Sequence, residues 1–535
     1  MARDILLTEK FKELIETNSI YTDKTNLVKD VLKRKVVLYT RPRRFGKTLN
    51  MSMLYYFFSN QEDGFNLFKD LNIAKDVEAM KHLNKYPVIS ITLKELSKEN
   101  IEDQITKYQD IMSEYVTNNS YLLESDKLTD AEKRQLIEYR DKCSNKMKLE
   151  SSLKDISGML YRHFDSEVII LIDEYDVPLR YAQQYDYYDK MLSFIRSLFS
   201  SALKTNDYLY KGVMTGCLRI AKESVFTGLN NFETDSIFNN NKEVYFGFTE
   251  NEVKDILNEY NMPERYKDIK DWYDGYLFGD KEVYNPWSTL KYIKEADSED
   301  HKEPVSYWAN TSGNDIVYDY IKNDRGGLRE DFESLTKGET IVKNINEQLT
   351  YRDMDDPDNI FSFLLSTGYL KSIGRNKDDT YNLVIPNKEV NVIYSKSFSN
   401  YFKEYSKDRT PEFVKALVEG DAIKANEVLD DILFSNISYY DNSEAFYHGY
   451  ILSTLKLFAP VSNVESGNGR IDLKIKDKKT KKVIGLELKH SEHEEDLQKD
   501  ADRAVKQIID KRYLKDGEIG YGISFNKKRC CIKKV

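Results

Sequence analysis

The chain has 535 residues, of which 40% are apolar and 32% charged, with a net charge of −10. That length exceeds one hydrophobic core and sets about three domains as the prior; the acidic balance excludes a general basic coat for nucleic acid, though not a local basic patch. No apolar run approaches the roughly 20 residues of a membrane helix, the N-terminus lacks a signal-peptide core, and the four cysteines show no metal-ligand spacing. A cytoplasmic protein with free thiols and no membrane contact is the expectation.

In chain order, Val36–Thr40 reads as a buried strand and Leu49–Phe58 as a helix. Further strands are expected at Val88–Thr92, Val168–Asp173, Tyr210–Thr215 and Glu243–Phe246, with long polar helices between about residues 94 and 165. Strands alternating with helices give an α/β domain with a largely parallel sheet. Residues 249–330 read as a helical lid punctuated by Tyr273-Asp274-Gly275-Tyr276 and Asn285-Pro286-Trp287. Phe361–Leu370 followed by a turn and Tyr381–Ile385 suggests a helix-plus-hairpin, winged-helix-like unit, and Pro411–Phe434 a helical connector. The last hundred residues form a small α/β module. It runs from a helix near 443–457 through a weakly marked strand at Val461–Val464 to strands Ile471–Ile475 and Val483–Lys489. A helix at about 495–514 and strands Gly520–Phe525 and Cys530–Val535 follow. The domain limits read as 1–248, 249–430 and 431–535.

The octet Arg41-Pro42-Arg43-Arg44-Phe45-Gly46-Lys47-Thr48 joins the first strand to its helix. Strand, loop ending in Gly-Lys-Thr, helix is the layout of a phosphate-binding P-loop. Backbone N–H groups near Gly46 suit phosphate oxygens, Lys47 suits the terminal phosphates, and the Thr48 hydroxyl suits magnesium. The usual pattern has a glycine where this chain has Arg41, and a basic loop capping a core helix would share the composition. A second element strengthens the reading. Val168-Ile169-Ile170-Leu171-Ile172 ends in Asp173-Glu174, and parallel sheets present their ligands at that end of a strand. Asp173 would hold magnesium and Glu174 would orient and deprotonate water. Thr215, ending the next strand, and Arg219 beyond it are candidate contacts to the γ-phosphate.

Together Tyr21–Thr25, the octet, Ile172–Asp176, Thr215–Ile220 and Phe246–Thr249 resemble the bacterial AAA-ATPase-like family over roughly residues 5–290. In that family Arg-Pro-Arg-Arg-Phe-Gly-Lys-[Ser/Thr] is the ordinary form of the loop. The resemblance implies an ASCE-type P-loop ATPase core using ATP and Mg²⁺. It leaves open whether Arg43 and Arg44 meet phosphate or a nucleic-acid backbone.

Near the C-terminus, Asp472 precedes Glu487 and Lys489 by a charged turn, and Glu487 and Lys489 share one strand face. An antiparallel pairing would bring Asp472 beside them. Two carboxylates and a lysine suit metal-assisted phosphodiester cleavage, although a solvated charged face would look similar. Between residues 461 and 535 there are 19 Lys and Arg against 13 Asp and Glu, a local excess of positive charge. Glu444–Gly449, Glu465–Asp472, Glu487–Lys489 and Ala504–Ile508 resemble the PD-(D/E)XK nuclease superfamily over about 430–525. The resemblance implies an αβββαβ core with Asp472, Glu487 and Lys489 at the core positions, Glu444 as an additional metal ligand and Gln507 as an orienting or DNA-contacting residue. Nucleic acid, DNA first, is the implied partner, and a homo-oligomer is expected by analogy with related ATPases. Both a nuclease and an ATP-switched module that binds without cutting fit the residues.

Overall fold

The computed structural model describes residues 2–219, 232–299, 302–308, 328–336, 338–356, 359–395, 409–436, 444–455, 458, 460–477 and 480–535. The chain divides into two compact units, one of Met1–Asn310 with Gly338–Asn391 and the other of Thr311–Lys337 with Val392–Val535.

The first unit is built on a parallel sheet of β1 (Val36–Thr40), β2 (Val88–Thr92), β3 (Val168–Asp173), β4 (Leu209–Gly216) and β5 (Phe232–Asp235), in the order β2-β3-β4-β1-β5. β1 and β3 are buried along their whole length, which is why both read as unbroken apolar runs. Burying each Val, Ile or Leu of β3 contributes about 1.5–3 kcal/mol. The helices Lys47–Phe58 and Lys146–Phe164 both pack on β3. Because every pair is parallel, the C-terminal ends of β1, β3 and β4 open on the same edge, with β4 between the other two.

One expected strand is corrected. Glu243–Phe246 is irregular, and the fifth strand is Phe232–Asp235, paired with β1. Phe246 is instead a buried plug against the Tyr39 ring, 5.4 Å between centroids. The long helices expected between β2 and β3 are Ile101–Asn118, Asp130–Arg140 and Lys146–Phe164. Beyond β5, the short hairpin of β6 (Tyr276–Phe278) and β7 (Lys281–Val283) interrupts the helices Glu250–Glu259, Tyr266–Tyr273 and Pro286–Ser298. The helix-then-hairpin at 361–385 is present as Ile360–Ser366, β9 (Lys371–Arg375) and β10 (Thr380–Val384), and β8 (Ile341–Asn344) adds a third antiparallel strand.

The second unit carries a sheet of β11 (Val461–Ser466), β12 (Gly469–Lys476), β13 (Val483–His490), β14 (Ile519–Asn526) and β15 (Arg529–Lys534), in chain order. All neighbours are antiparallel except β13 and β14, which are parallel and joined through the helix Leu497–Asp510. Leu473, Leu486, Leu488 and Ile523 form one core with the helices Thr410–Glu419, Ala422–Asn436 and Glu444–Thr454. Leu497–Asp510 covers the opposite face, pressed so close that a Cβ on Gly522 would lie 2.8 Å from Ala504. Glu487 pairs with Gly522 in register and shares that covered face.

Candidate functional site

The loop after β1 turns through two left-handed residues, Arg44 (φ 69°) and Gly46 (φ 82°); Arg41 is not among them. The position that carries glycine in the usual pattern therefore needs no glycine backbone here. Arg41 is 3% exposed and turns toward the sheet edge. Its Nη2 donates to Asp235 Oδ1 at 2.5 Å, and its Nη1 to the carbonyls of Asp235 and Thr40 at 2.8 Å. The rings of Phe246 and Phe278 flank the guanidinium at 5.1 and 5.2 Å. Arg41 thus staples the loop to β5.

Lys47 is buried. Its ammonium donates to the carbonyls of Arg41 and Pro42 at 3.2 Å and to Cys217 Sγ at 3.7 Å, and it lies 3.6 Å from Glu174 Oε1. Burial alone would lower its pKa, but the carboxylates of Glu174, Asp173 and Asp176 outweigh it and hold the lysine charged. The same burial pushes the Cys217 thiol up to about 11. Asp173, at the end of β3, accepts from the Thr48 hydroxyl at 2.7 Å through Oδ2 and from the Thr215 hydroxyl through Oδ1. Burial and then Glu174 raise its pKa, while the two hydroxyls oppose the rise. Glu174 has φ 52°, a left-handed strain at the strand end. Gly216 closes β4 as glycine because a Cβ there would lie 2.3 Å from the Tyr175 ring.

In the second unit Leu473 pairs with Leu486, which brings Asp472 level with the next residues of β13. Asp472 Oδ2 accepts from the Leu488 amide at 2.8 Å. Lys489 Nζ donates to Glu487 Oε1 at 3.3 Å, while Glu487 Oε2 is buried without a partner. Burial and then the Asp472 charge push Glu487 up to about 7, against the pull of Lys489. An orphaned buried carboxylate oxygen beside a second carboxylate is a donor set that fits a hard divalent cation.

Comparison with known proteins finds a family match over each of the two regions. Residues 7–226 match the family model described as "Predicted AAA-ATPase", and residues 442–535 match that of the PD-(D/E)XK nuclease superfamily. The chain joins an AAA-ATPase-like domain to a PD-(D/E)XK nuclease superfamily domain. A relative from Azotobacter chroococcum mcd 1, described as "Uncharacterized protein in vnfD 5'region", is 22% identical over 471 residues, covering 85% of this chain and 83% of its own.

Within the AAA-ATPase-like domain, Gly46, Lys47, Thr48, Arg44 and Glu174 line one cavity; Asp173 accepts from Thr48 at its edge, and Thr215 in turn donates to Asp173. Arg43 is partly buried, with Cys217 and Glu174 in its electrostatic surroundings. Arg44 lies over the Trp287 ring at 4.7 Å, and burial lowers its pKa. Arg219 lines a different, smaller cavity with Thr40, Cys217 and Ser236. In the nuclease-superfamily domain, the Gln507 amide donates to Tyr513 Oη at 3.5 Å. Glu444 begins the helix Glu444–Thr454, and its side chain lies outside those described, as do Ile220 and the turn residues Lys478 and Lys479. Among the described residues no group of three or more His, Cys, Asp or Glu is arranged to hold a metal, and no helix is long and apolar enough to cross a membrane.

Several side chains at the site carry no role in the sequence reading. Asp176 Oδ2 accepts from the amides of Cys217 and Leu218 and from the Tyr351 hydroxyl at 3.1 Å. Its place three residues after Asp173 was visible; that of Tyr351, 175 residues on, was not. The Tyr21–Thr25 motif also acquires a structure. Asp23 accepts from Thr25 and from the Asn72 amide, and Lys24 pairs with Glu252 at 2.7 Å, tying the motif to the helix Glu250–Glu259.

Glu389 is fully buried. Its Oε1 accepts from Ser288, Tyr307 and Trp308, and its Oε2 has no partner. Burial pushes it up to about 7, against hydrogen bonds and Arg44 that pull the other way. A carboxyl raised above its unfolded value is ionised in the unfolded chain first, so stability falls as pH rises from about 4.5 to about 7. Glu389→Gln should therefore match wild type near pH 4.5 and exceed it by on the order of 2 kcal/mol at pH 8. Urea denaturation at the two pH values checks this, and a pH-independent difference would contradict it.

Proposed function

We propose that the chain is an ATP-hydrolysing protein whose turnover governs a magnesium-dependent nuclease module acting on nucleic acid, DNA first. The observation that carries the nucleotide half is Asp173, which holds the Thr48 hydroxyl on one oxygen and the Thr215 hydroxyl on the other. In this reading the amides around Gly46, with Lys47, Arg43 and Arg44, hold the phosphates, and Thr48 and Asp173 hold magnesium. Bound magnesium neutralises charge on the transferring phosphate. Lys47 exchanges its carbonyl partners for phosphate oxygens and releases Glu174, its neighbour at 3.6 Å, to orient and deprotonate water. Thr215 and Arg219 read the γ-phosphate from the β4 side.

In the C-terminal domain, Asp472 and Glu487, with Glu444, hold the metal, Lys489 orients the attacking water, and Gln507 contacts the substrate or the site. The unpartnered Oε2 of Glu487 supports this assignment. The second reading is nucleic-acid binding by the same module without cleavage. The protein acts as a homo-oligomer in the cytoplasm in the first reading.

The test is a panel of single- and double-stranded DNA and RNA, incubated with Mg²⁺ or Mn²⁺, with and without ATP. Wild type should cut at least one substrate, and Lys489→Ala should cut it at least 10²-fold more slowly. Binding without cutting in every arm would replace the first reading with the second. Equal cutting by Lys489→Ala would remove the nuclease site from this sheet face.

A further inference from the structure

A buried aromatic stack leads away from the phosphate loop. Phe45 of the loop meets Tyr276 edge-on at 4.9 Å between centroids, Tyr276 meets Trp308 at 6.2 Å, and Trp308 stacks on Tyr369 at 5.1 Å. All four residues are 5% exposed or less. The segment that returns to the first unit touches the loop beside them. Gly368 has φ 86°, and a Cβ on it would lie 3.0 Å from Pro42 Cβ and 3.2 Å from the Tyr276 ring. No side chain can stand between them, so a shift of Pro42 or Phe45 must be taken up by this stack.

Glu389 holds the far end. Its Oε1 accepts from the amides of Tyr307 and Trp308 and from the Ser288 hydroxyl, each at 2.9 Å, and its carbonyl accepts from the Ser306 hydroxyl at 3.2 Å. Asn387, two residues earlier, donates to the Asp274 carbonyl at 2.7 Å. The place of this clasp in the chain gives it its importance. The chain passes between its two compact units three times, at 310/311, 337/338 and 391/392. Glu389 lies two residues before the last crossing, and Trp308 two residues before the first. One carboxylate thus ties together two of the three covalent routes into the second unit, and the aromatic stack joins that carboxylate to the phosphate loop.

We propose that the stack and the Glu389 clasp pass the occupancy of the phosphate loop to the second unit. The proposal rests on the nucleotide reading of the loop and supplies its regulation. Phosphate draws Lys47 off the carbonyls of Arg41 and Pro42, and the loop resettles at Pro42 and Phe45. Tyr276 and Trp308 follow, because packed rings move between discrete arrangements rather than compress. Trp308 carries the clasp with it, since its own amide is one of the donors. The two crossings then respond together.

The amides of Tyr307 and Trp308 report on the clasp directly. The experiment is hydrogen exchange of the full chain, with and without adenosine 5′-(β,γ-imido)triphosphate and Mg²⁺. In wild type the nucleotide should slow exchange at residues 44–48. It should also change exchange by at least about threefold at Tyr307 and Trp308 and in β12 and β13. Glu389→Ala leaves the two amides without their acceptor, and should keep the response at 44–48 but lose that of β12 and β13. Glu389→Gln keeps an acceptor oxygen and should behave as wild type. Tyr369→Leu opens the stack without touching the carboxylate; it carries the same expectation as Glu389→Ala and replaces it if that variant does not fold. A wild type in which 44–48 responds but Tyr307 and Trp308, or β12 and β13, do not would overturn the proposal while the nucleotide site stands. So would a full β12 and β13 response in Glu389→Ala or Tyr369→Leu, or its loss in Glu389→Gln. No response at 44–48 removes the nucleotide reading, and the proposal with it.

Discussion

Arg41→Gly, which would give the loop the glycine of the usual pattern, should destabilise the first unit by about 3–5 kcal/mol and bring no gain in nucleotide affinity. Arg41 and Asp235 are 3% and 2% exposed and joined at 2.5 Å. Removing the guanidinium strands a buried carboxylate and withdraws the donors to two carbonyls. It also empties the space between Phe246 and Phe278. Asn241 and Arg34 still approach Asp235, so the carboxylate keeps partial compensation. Arg41→Lys keeps the charge but loses the planar fork, and should fall between the two. Urea denaturation of these variants, closed into a cycle with Asp235→Asn, gives the coupling energy. Arg41→Gly as stable as wild type would mean that the arginine is not an anchor, and its departure from the usual loop would need another cause.

Lys47→Ala should lower phosphate release from ATP by at least 10²–10³-fold. The ammonium is held by two backbone carbonyls and lies within 4 Å of Glu174 and Cys217, so its removal strips a buried cation from that group of contacts. The protein should still fold, because the lost partners are carbonyls and a carboxylate that is one-fifth exposed. Lys47→Arg tests geometry separately from charge: a larger, forked cation cannot sit between the Arg41 and Pro42 carbonyls in the same way, and should recover little activity. Release by Lys47→Ala at the wild-type rate would remove this loop from the hydrolysis.

The parts of the fold that could be read in the sequence are those where one local property decides. β1 and β3 are apolar throughout because both faces are covered, and the acids at the end of β3 stand out against that run. β5 escaped because Phe232-Glu233-Thr234-Asp235 is a four-residue edge strand with one apolar side chain. Glu243–Phe246 reads as a strand because Val244, Tyr245 and Phe246 favour strands locally, whereas tertiary packing uses Phe246 as a plug. At the site, Lys47, Thr48, Asp173 and Thr215 were visible as motifs, and the Asp472–Glu487 approach followed from a hairpin register. Arg41 could not be interpreted, because its partner is 194 residues away. Trp287 and Tyr351 carry no local signal either; each matters for what folds against it.

The hydrogen bond from Tyr351 to Asp176 has a consequence for how the protein is made. The chain completes β4 and its loop, contributes residues 311–337 to the second unit, and then returns to the first unit with residues 338–391. At 5–20 residues per second, the ribosome needs roughly 10 to 35 s after Asp176 to deliver Tyr351. For that interval the nascent chain holds the loop, the acids and the lysine without the hydroxyl that completes the Asp176 cluster. The Asp176 cluster is thus finished late in translation, and a message cut short before codon 351 would encode the Gly46-Lys47-Thr48 loop and Asp173-Glu174 but not the hydroxyl that Asp176 accepts from.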